Sequence, residues 1–249
     1  MSPDLALAHR LADAADAIAL SRFRTGLAIE TKPDLTPVTE ADRAVETELR
    51  RLLADERPHD AVLGEEQGAS GAGDRRWILD PIDGTRNYAR GIPIWGTLIA
   101  LDEAGTVRIG LVSAPSLGRR WWAERGVGAF ANGVRISVST VARAEDAVLC
   151  FAFEDELPEI ARRAWHTRGI GDFWAHMLVA EGAVDGAVDA AGVREWDLAA
   201  VQVIVEEAGG RFSDFVGEQR IDSGSALTSN GLLHEELVAA VTQRARSSP

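Results

Sequence analysis

Two helical patterns followed by a series of strand patterns occupy the first 146 residues, whereas strands alternate with helices from residue 147 onward. Two strand patterns within residues 95–115 are joined through a short turn at residues 103–105, which predicts an antiparallel hairpin. Beyond residue 147, the run AVLCFAF and later short strands are separated by helical patterns, an order typical of βαβ units. We therefore expect a mixed α/β, or α+β, protein of 249 residues: one domain with two lobes, 1–146 and 147–249.

Several predicted elements have clear boundaries. Ser2 and Pro3 form a typical helix start, with Ser2 as the capping residue. Apolar residues then recur at helical spacing until about Gly26, where we expect the helix to end. The further predictions are helices over residues 42–54, 157–165, 172–182 and 197–208, and strands over 61–64 and 77–80.

The chain is strongly acidic, with 26 basic and 39 acidic residues and a formal net charge of −13. Arg119 and Arg120 are an isolated pair, and no run of Lys and Arg forms a basic patch. Because such a charge repels phosphodiester backbones and anionic lipid, we expect neither nucleic-acid nor membrane partners. The N-terminus lacks the basic segment of a signal peptide, and no apolar run approaches the roughly 18 residues of a membrane span. We therefore expect a cytoplasmic protein.

The thiol and imidazole side chains have ordinary sequence contexts. Cys150, the single cysteine, lies inside an apolar run, which predicts a buried strand residue without a disulfide partner in the chain. His176 is expected in the core or at the surface rather than in a pocket, and the other four histidines at the surface. None of these groups is assigned as a nucleophile.

The segment WILDPIDGT ends an apolar strand pattern with two aspartates, Asp80 and Asp83. Asp80 is predicted to lie where the strand leaves the core, and Asp83 to cap a helix that begins at Gly84 and Thr85. Free N–H groups at a helix N-terminus bind anions such as phosphate. Two carboxylates beside an anion repel it unless a cation lies between them, and Mg²⁺ prefers hard oxygen ligands of this kind. Taken alone, the segment fits a metal site and a simple capped turn equally well.

Three other acidic segments occur at predicted element ends. Glu65 and Glu66 follow a short strand, Asp197 begins a helix, and the segment PVTEAD ends at Asp42. Each alone has an ordinary explanation as a solvated face or a helix cap. Together with the two aspartates of WILDPIDGT they form an ordered set of acidic residues, which predicts one shared acidic site.

The order of these motifs is similar to that of a known family. PVTEAD, GEE, WILDPIDGTRNY, WDLAA and EEAGG, in this order, resemble the inositol monophosphatase family over residues 5 to about 238, and DPIDGT is the most specific of them. The resemblance implies a layered α-β-α-β-α sandwich of the inositol monophosphatase and fructose bisphosphatase type. It also implies a single catalytic domain that hydrolyses phosphate monoesters with Mg²⁺, without a covalent enzyme intermediate.

The resemblance further implies a role for each residue of the acidic set, with two to three Mg²⁺ ions per active site. The first ion would be held by Glu65, Asp80 and the carbonyl of Ile82, the second by Asp80, Asp83 and Asp197, and a third would lie near Glu65. Asp42 and Thr85 would orient and deprotonate the attacking water, with Glu65 also among the catalytic residues. Asp83 and the N–H groups of Gly84 and Thr85 would contact the phosphate.

The leaving-group pocket departs from the inositol-type pattern. Those members carry a glutamate seven residues before the aspartate of WDLAA, where this chain has Ala190, with Asp189 beside it. The segments GIGDFWAHMLVAEGAVD and SNGLLHEEL resemble instead the histidinol-phosphate phosphatase branch of the family. Asp172 stands where inositol-type members usually carry a small neutral residue, and a carboxylate favours a cationic leaving group. The alternative is that Asp172 simply caps the helix starting at Phe173, and Arg194 and Glu195 are further candidates to face the substrate.

L-Histidinol phosphate is the substrate that these features favour. The alternatives are inositol 1-phosphate or a broad set of small phosphate esters, and a regulatory binding protein of the same fold without activity. Because every expected catalytic residue is present, an enzyme is favoured. The resemblance also implies a homodimer formed through the strand-rich face, to which residues 119–122 (RRWW) could contribute, and it leaves Lys32 without an assigned role.

Overall fold

The computed structural model describes residues 1–25, 29–31, 37–152, 157–189 and 192–247. Two positions that were compared with the family pattern, Lys32 and Ala190, lie outside these described ranges. The helices in them are α1 (Pro3–Arg22), α2 (Glu40–Glu56), α3 (Thr85–Ala89), α4 (Glu159–Arg163), α5 (Asp172–Ala180), α6 (Glu195–Glu207) and α7 (His234–Ser247).

The described strands form one small and two large sheets. They are β1 (Ile29–Thr31), β2 (Pro37–Thr39), β3 (Ala61–Gly64), β4 (Gly68–Ser70), β5 (Arg75–Asp83), β6 (Gly96–Glu103), β7 (Thr106–Ala114), β8 (Arg119–Glu124), β9 (Gly128–Ala131), β10 (Val134–Arg135), β11 (Val148–Ala152), β12 (His166–Arg168), β13 (Gly186–Asp189), β14 (Arg211–Ser213) and β15 (Ala226–Ser229). The first large sheet has the order β10-β9-β8-β7-β6-β5-β3-β4, antiparallel except between β3 and β5. The second has the order β12-β11-β13-β15-β14, parallel from β12 to β13.

These elements stack in five layers. Helices α1 and α2 pack on one face of the first large sheet, against β5, β6 and β7. Helix α6 lies on its other face and also contacts β14 and β15, while α5 packs against α6, β13 and β15. Helices α4 and α7 contact each other, and α7 packs on β15 from outside. The predicted α-β-α-β-α sandwich is therefore confirmed.

One core connects the two large sheets through the middle helices. Its buried apolar residues include Leu98 of β6, Phe173 of α5, Val203 of α6 and Ala187 of β13. The middle layer buries apolar side chains on both of its faces, as a helix hydrophobic all round must. The predicted boundary at residues 146 and 147 falls between the two sheets and stays a prediction. None of the helices in the described ranges is long and apolar enough to cross a membrane.

Local predictions agree with the structure where a short motif decides them. Ser2 accepts a hydrogen bond from the Leu5 N–H at 3.1 Å, as a helix cap does. Cys150 is fully buried in β11, and burial raises the pKa of its thiol to about 11. His234, predicted at the surface, is instead 1% exposed, because its two ring nitrogens lie 2.9 Å from the hydroxyls of Ser229 and Ser213.

Candidate active site

Three carboxylates meet between the two large sheets. Asp80 and Asp83 belong to the end of β5, and Asp197 lies in the first turn of α6. One carboxylate oxygen from each lies within 4.8 Å of the other two. The acidic set predicted from separate segments of the chain thus includes three residues that the fold brings into one cluster.

An irregularity in β5 places Asp80 and Asp83 on the same side. In a regular strand, side chains three residues apart point to opposite faces. The pairing of β5 with β6 is interrupted between Asp80 and Asp83, which allows both carboxylates to point toward α6.

The prediction that Asp83 caps the helix after it is wrong. That helix, α3, has Gly84 at its cap position, in a left-handed conformation (φ 80°) that favours glycine, and no side chain caps it. The Asp83 carboxylate accepts instead a 2.6 Å hydrogen bond from the N–H of Phe173. Asp83 therefore caps α5, which is 90 residues away in sequence, and this bond fixes one of its oxygens.

Burial and mutual repulsion make the cluster costly without a cation. Burial raises the pKa of Asp80 and of Asp83 well above their usual range, and neighbouring carboxylates raise it further. Burial also raises the pKa of Asp197 to about 7. Oδ1 of Asp80 is buried and has no hydrogen-bond partner among the described residues. A hard divalent cation would supply that partner and remove the repulsion, so the cluster fits a metal ion.

Asp42 lies behind Thr85, at the start of α2. Its Oδ2 accepts hydrogen bonds from the N–H and the hydroxyl of Thr39, at 2.8 and 2.6 Å, and the first of these bonds belongs to the capping box of α2. Its Oδ1 lies 3.2 Å from Oγ1 of Thr85, and the same hydroxyl lies 2.9 Å from the carbonyl oxygen of Ile82. Burial raises the pKa of Asp42. The predicted Asp42–Thr85 pair is therefore a direct contact.

The turn that carries Glu65 is held by hydrogen bonds to a buried carboxylate of α2. Glu46 of α2 is fully buried and accepts hydrogen bonds from the N–H groups of Glu66 and Gln67, at 2.7 and 3.1 Å, and from Nε of Arg50 at 2.7 Å. A side chain at Gly64 would collide with this carboxylate, since its Cβ would lie 2.3 Å from Oε1 of Glu46. The glycine of LGEE thus permits the close approach of Glu46 to the turn that follows Glu65.

The cluster opens into two adjoining clefts. The smaller, about 190 Å³, is lined by every predicted metal ligand together with Gly84, Thr85 and Arg86. The larger, about 310 Å³, is lined by Asp172, His176 and Asp189, among others. The clefts share Asp172 and two carboxylates of the cluster, so a ligand can extend from one into the other.

Asp172 faces this junction and does not cap a helix. Its φ of 54° is in the left-handed region, which is uncommon for a residue other than glycine. Its Oδ2 lies 3.5 Å from the position that a Cβ on Gly84 would occupy, and no side chain of α5 makes a cap hydrogen bond. Burial raises the pKa of Asp172, and the charge of Arg86 opposes that shift. The capping explanation for Asp172 is therefore wrong.

Arg194 and Glu195 lie away from the larger cleft. Both line a separate depression of about 390 Å³ that also contains Glu65 and Trp196. The backbone N–H of Arg194 donates to Asp197 at 2.6 Å, and Glu195 pairs with Arg76 at 2.7 Å. A substrate role for the Arg194 side chain stays a prediction without support from this placement.

Sequence reasoning gave no site role to His176 and noted Asp189 only as the acidic neighbour of Ala190. His176, expected outside any pocket, lines the larger cleft together with Asp189. The local sequence offers no signal for His176, because its neighbours in the fold come from β13 and β15.

The five layers and the carboxylate cluster between the sheets are those expected of a metal-dependent phosphatase of layered α/β type. The sequence model of the inositol monophosphatase family matches residues 1–246, and the chain belongs to this family. A protein named histidinol-phosphatase from Streptomyces coelicolor is 48% identical over 97% of this chain and 97% of its own length. Another of that name from Mycobacterium tuberculosis is 49% identical over 94% of this chain and 96% of its own. A solved structure of the Thermotoga maritima IMPase has a TM-score of 0.91 at 32% identity, and covers 98% of this chain and 99% of that one.

Proposed function

We propose that this chain is a Mg²⁺-dependent phosphate-monoester hydrolase that converts L-histidinol phosphate to L-histidinol and phosphate. The observation that carries the proposal is the continuity of the two clefts. One is lined by the carboxylate cluster, and the other carries Asp172 and Asp189, so its carboxylates outnumber Arg86, the cation that also lines it. A phosphate ester whose leaving group is cationic fits both halves. The names of the two histidinol-phosphatases, which match nearly the whole chain, support the same substrate.

Glu65, Asp80, Asp83, Asp197 and the Ile82 carbonyl are the residues that would hold Mg²⁺. When bound, Mg²⁺ would neutralise charge on the phosphoryl oxygens and lower the pKa of water. The unpartnered oxygen of Asp80 supports a ligand role for that residue. The Phe173 N–H holds one oxygen of Asp83 and leaves the other to face the cluster.

The chain's own residues orient the water and the phosphate. The Thr85 hydroxyl can donate to Asp42 and accept a hydrogen bond from a water bound in the smaller cleft. Asp42 then serves as the final acceptor of a proton passed through Thr85, and its raised pKa suits that role. Gly84 and Thr85 line the same cleft, where their N–H groups are proposed to contact phosphoryl oxygens.

Hydrolysis of inositol 1-phosphate, or of a broad set of small phosphate esters, is the alternative. The similarity to the Thermotoga maritima IMPase supports it, since that structure matches almost every residue of the fold. A neutral polyol, however, can only donate hydroxyl hydrogen bonds to Asp172 and Asp189, without the charge pairing that a cationic leaving group adds.

A substrate panel tests the proposed function. The purified protein with Mg²⁺ is assayed for phosphate release from L-histidinol phosphate, inositol 1-phosphate and glycerol 2-phosphate. We expect the highest kcat/KM for L-histidinol phosphate. A higher value for inositol 1-phosphate would refute the proposed substrate. If none of the three esters released phosphate, a regulatory binding protein would be favoured.

Removing the charge of Asp172 should impair the cationic substrate selectively. Asp172→Asn is expected to raise KM for L-histidinol phosphate by about 10- to 100-fold, as the loss of a hydrogen bond between charged groups does. The effect on glycerol 2-phosphate, a neutral leaving group, should be much smaller. Steady-state kinetics on both esters measures the difference.

Glu195→Gln is the matched control for Asp172→Asn. It removes a carboxylate at a neighbouring helix start that is paired with Arg76 and lies outside the larger cleft. Its effect should be the same for both esters. Equal losses on both esters in Asp172→Asn would contradict a charge contact between Asp172 and the leaving group.

A homodimer in the cytoplasm completes the proposal. At residues 119–122 (RRWW) of the strand-rich face, three of the four side chains are already paired or buried within the chain, so they offer little surface for a dimer contact. Arg119 pairs with Glu181, Arg120 pairs with two aspartates of α1, and Trp121 is buried. Light scattering coupled to size-exclusion chromatography measures the oligomeric state.

A further inference from the structure

His176 carries a buried nitrogen with no explained partner. Its side chain is only 2% exposed and lines the larger cleft. Nδ1 lies 2.8 Å from the hydroxyl of Thr228, which fixes the ring. Nε2 has no hydrogen-bond partner among the described residues, and the nearest carboxylate oxygen, on Asp189, is 3.9 Å away. Buried polar atoms are nearly always paired, so this nitrogen indicates a ligand position.

The imidazole of His176 can serve as a donor or as an acceptor. Burial lowers its pKa to about 4, so the ring is neutral. A neutral imidazole has one nitrogen that donates and one that accepts. Because the Thr228 hydroxyl can also do either, Nε2 can adapt to the group placed against it.

Asp189 stands beside His176 at the carboxyl end of β13. In an α/β sheet, ligands bind at the carboxyl ends of parallel strands, and β13 runs parallel to β11. The Asp189 side chain is 16% exposed and lines the same cleft as His176. It is therefore a nearly buried acceptor that still reaches the cleft.

The lining of the two clefts gives the order in which these residues would contact the substrate. Asp172 lines both clefts, whereas Asp189 and His176 line only the larger one, farther from the proposed phosphate position at Gly84. In a 2-amino-3-heteroarylpropyl phosphate, three bonds separate the ester oxygen from the ammonium nitrogen. At least five bonds separate it from a ring nitrogen. The ammonium group therefore reaches Asp172, and the ring extends past it.

We propose that Asp189 and His176 form the subsite for the nitrogen heterocycle of the leaving group, while Asp172 receives its ammonium group. The ring N–H donates to Asp189, and the second ring nitrogen or a bridging water pairs with Nε2 of His176. This assignment rests on the proposed function, and it identifies an acid that compensates for the absent glutamate at position 190.

Two substrates that differ only in the ring test the assignment of Asp189. They are L-histidinol phosphate and 2-aminopropyl phosphate, which retains the ammonium group. In Asp189→Asn, kcat/KM for L-histidinol phosphate should fall at least about tenfold more than for 2-aminopropyl phosphate, mainly through KM. Glu195→Gln, which lies outside the larger cleft, should change both substrates by the same factor. Equal losses on both substrates in Asp189→Asn would overturn the assignment.

Two replacements of His176 separate ring recognition from folding. Asparagine places its amide near the position of Nδ1 and can keep the Thr228 contact, but it lacks any atom at the Nε2 position. Glutamine places an amide group near Nε2. We expect His176→Asn to lose discrimination between the two esters and His176→Gln to regain part of it. If both variants discriminate as well as the wild type, His176 has no part in the subsite.

The wild-type kinetics distinguish failure of the subsite from failure of the function. If L-histidinol phosphate is hydrolysed in preference to inositol 1-phosphate but no better than 2-aminopropyl phosphate, the function stands and the ring subsite is wrong. If inositol 1-phosphate is preferred, the proposed function and the subsite are both wrong. Competitive inhibition by L-histidinol, compared with 2-aminopropanol, gives the same comparison without turnover, and the subsite predicts tighter binding of L-histidinol.

Discussion

Asp83→Asn is expected to abolish Mg²⁺-dependent turnover and, at the same time, to stabilise the metal-free protein. Activity should fall about 10³-fold or more, since a group that stabilises the transition state by charge is lost. Without metal, the buried carboxylate raises the energy of the folded state through burial and through the charges of Asp172 and Asp197. A neutral amide relieves that repulsion. Its oxygen can still accept the hydrogen bond from the Phe173 N–H.

Thermal unfolding with and without Mg²⁺ tests this prediction, because the effect of Asp83→Asn on Tm should change sign when the metal is added. Metal binding stabilises the folded state by mass action, by about 2.7 kcal/mol at a hundred times the dissociation constant. The wild-type protein should therefore have the lower Tm without Mg²⁺ and gain more than Asp83→Asn when Mg²⁺ is added. An Asp83→Asn variant that keeps its turnover would overturn the assignment of Asp83 as a metal ligand.

Asp185→Asn is the matched control for this prediction. Asp185 is also a buried aspartate that accepts a backbone hydrogen bond, from the Val148 N–H at 2.7 Å, but it lies before β13, at the opposite end from Asp189. Its replacement should lower the Tm by the same amount with and without Mg²⁺. A stabilising effect of Asp83→Asn in the absence of metal is thus specific to the cluster.

The motifs of the sequence were sufficient to locate the acidic site but not to orient it. Asp80, Asp83 and Asp197 lie in segments with strong local signals: a strand exit followed by glycine, and a helix start. The β5 irregularity and the Phe173–Asp83 bond have no such signal, because each depends on a partner strand or helix distant in sequence. Local propensity therefore predicted a cap for the wrong helix.

Buried polar groups away from these motifs could not be predicted for a related reason. His176 lies in a segment that suits the surface or the core, and His234 in one that is typical of the surface. Each is buried because hydroxyl groups from another element, Thr228 for one and Ser213 and Ser229 for the other, satisfy a ring nitrogen. A burial pattern of this kind is decided by tertiary contacts, since an unpaired imidazole would not be buried. Only the fold reveals that one of the two rings lines the cleft.

The order of the layers followed from the resemblance, and the structure supplies its physical reason. The α6 sequence EWDLAAVQVIVEE is apolar around most of its circumference, and seven consecutive side chains from position 199 are fully or nearly fully buried. A helix of this kind needs a sheet on each side. Because α6 begins at the acidic cluster, the same packing that joins the sheets also delivers Asp197 to Asp80 and Asp83.

Asp42→Asn is expected to lower kcat by about 10²- to 10⁴-fold while the protein still binds Mg²⁺. The range is that of a lost general base. An asparagine can keep its oxygen toward the N–H and hydroxyl of Thr39, which directs its amide N–H₂ at Thr85. The Thr85 hydroxyl must then accept from that amide and donate to the carbonyl of Ile82. The direction of the hydrogen bond is reversed, so Thr85 can no longer pass a proton to residue 42.

Two measurements separate this loss of proton transfer from a loss of structure. The stabilisation of Asp42→Asn by Mg²⁺ should resemble that of the wild type, because Asp42 is not a proposed ligand. Thr39→Val, as control, removes the hydroxyl contact at 2.6 Å but keeps the backbone N–H, so it should lower stability by about 1 kcal/mol with a much smaller change in kcat. If Asp42→Asn retains its kcat, or if its loss is matched by Thr39→Val, then Asp42 is only a helix cap. A selective loss in Asp42→Asn would show that one carboxylate both caps α2 and accepts the proton, with one oxygen for each task.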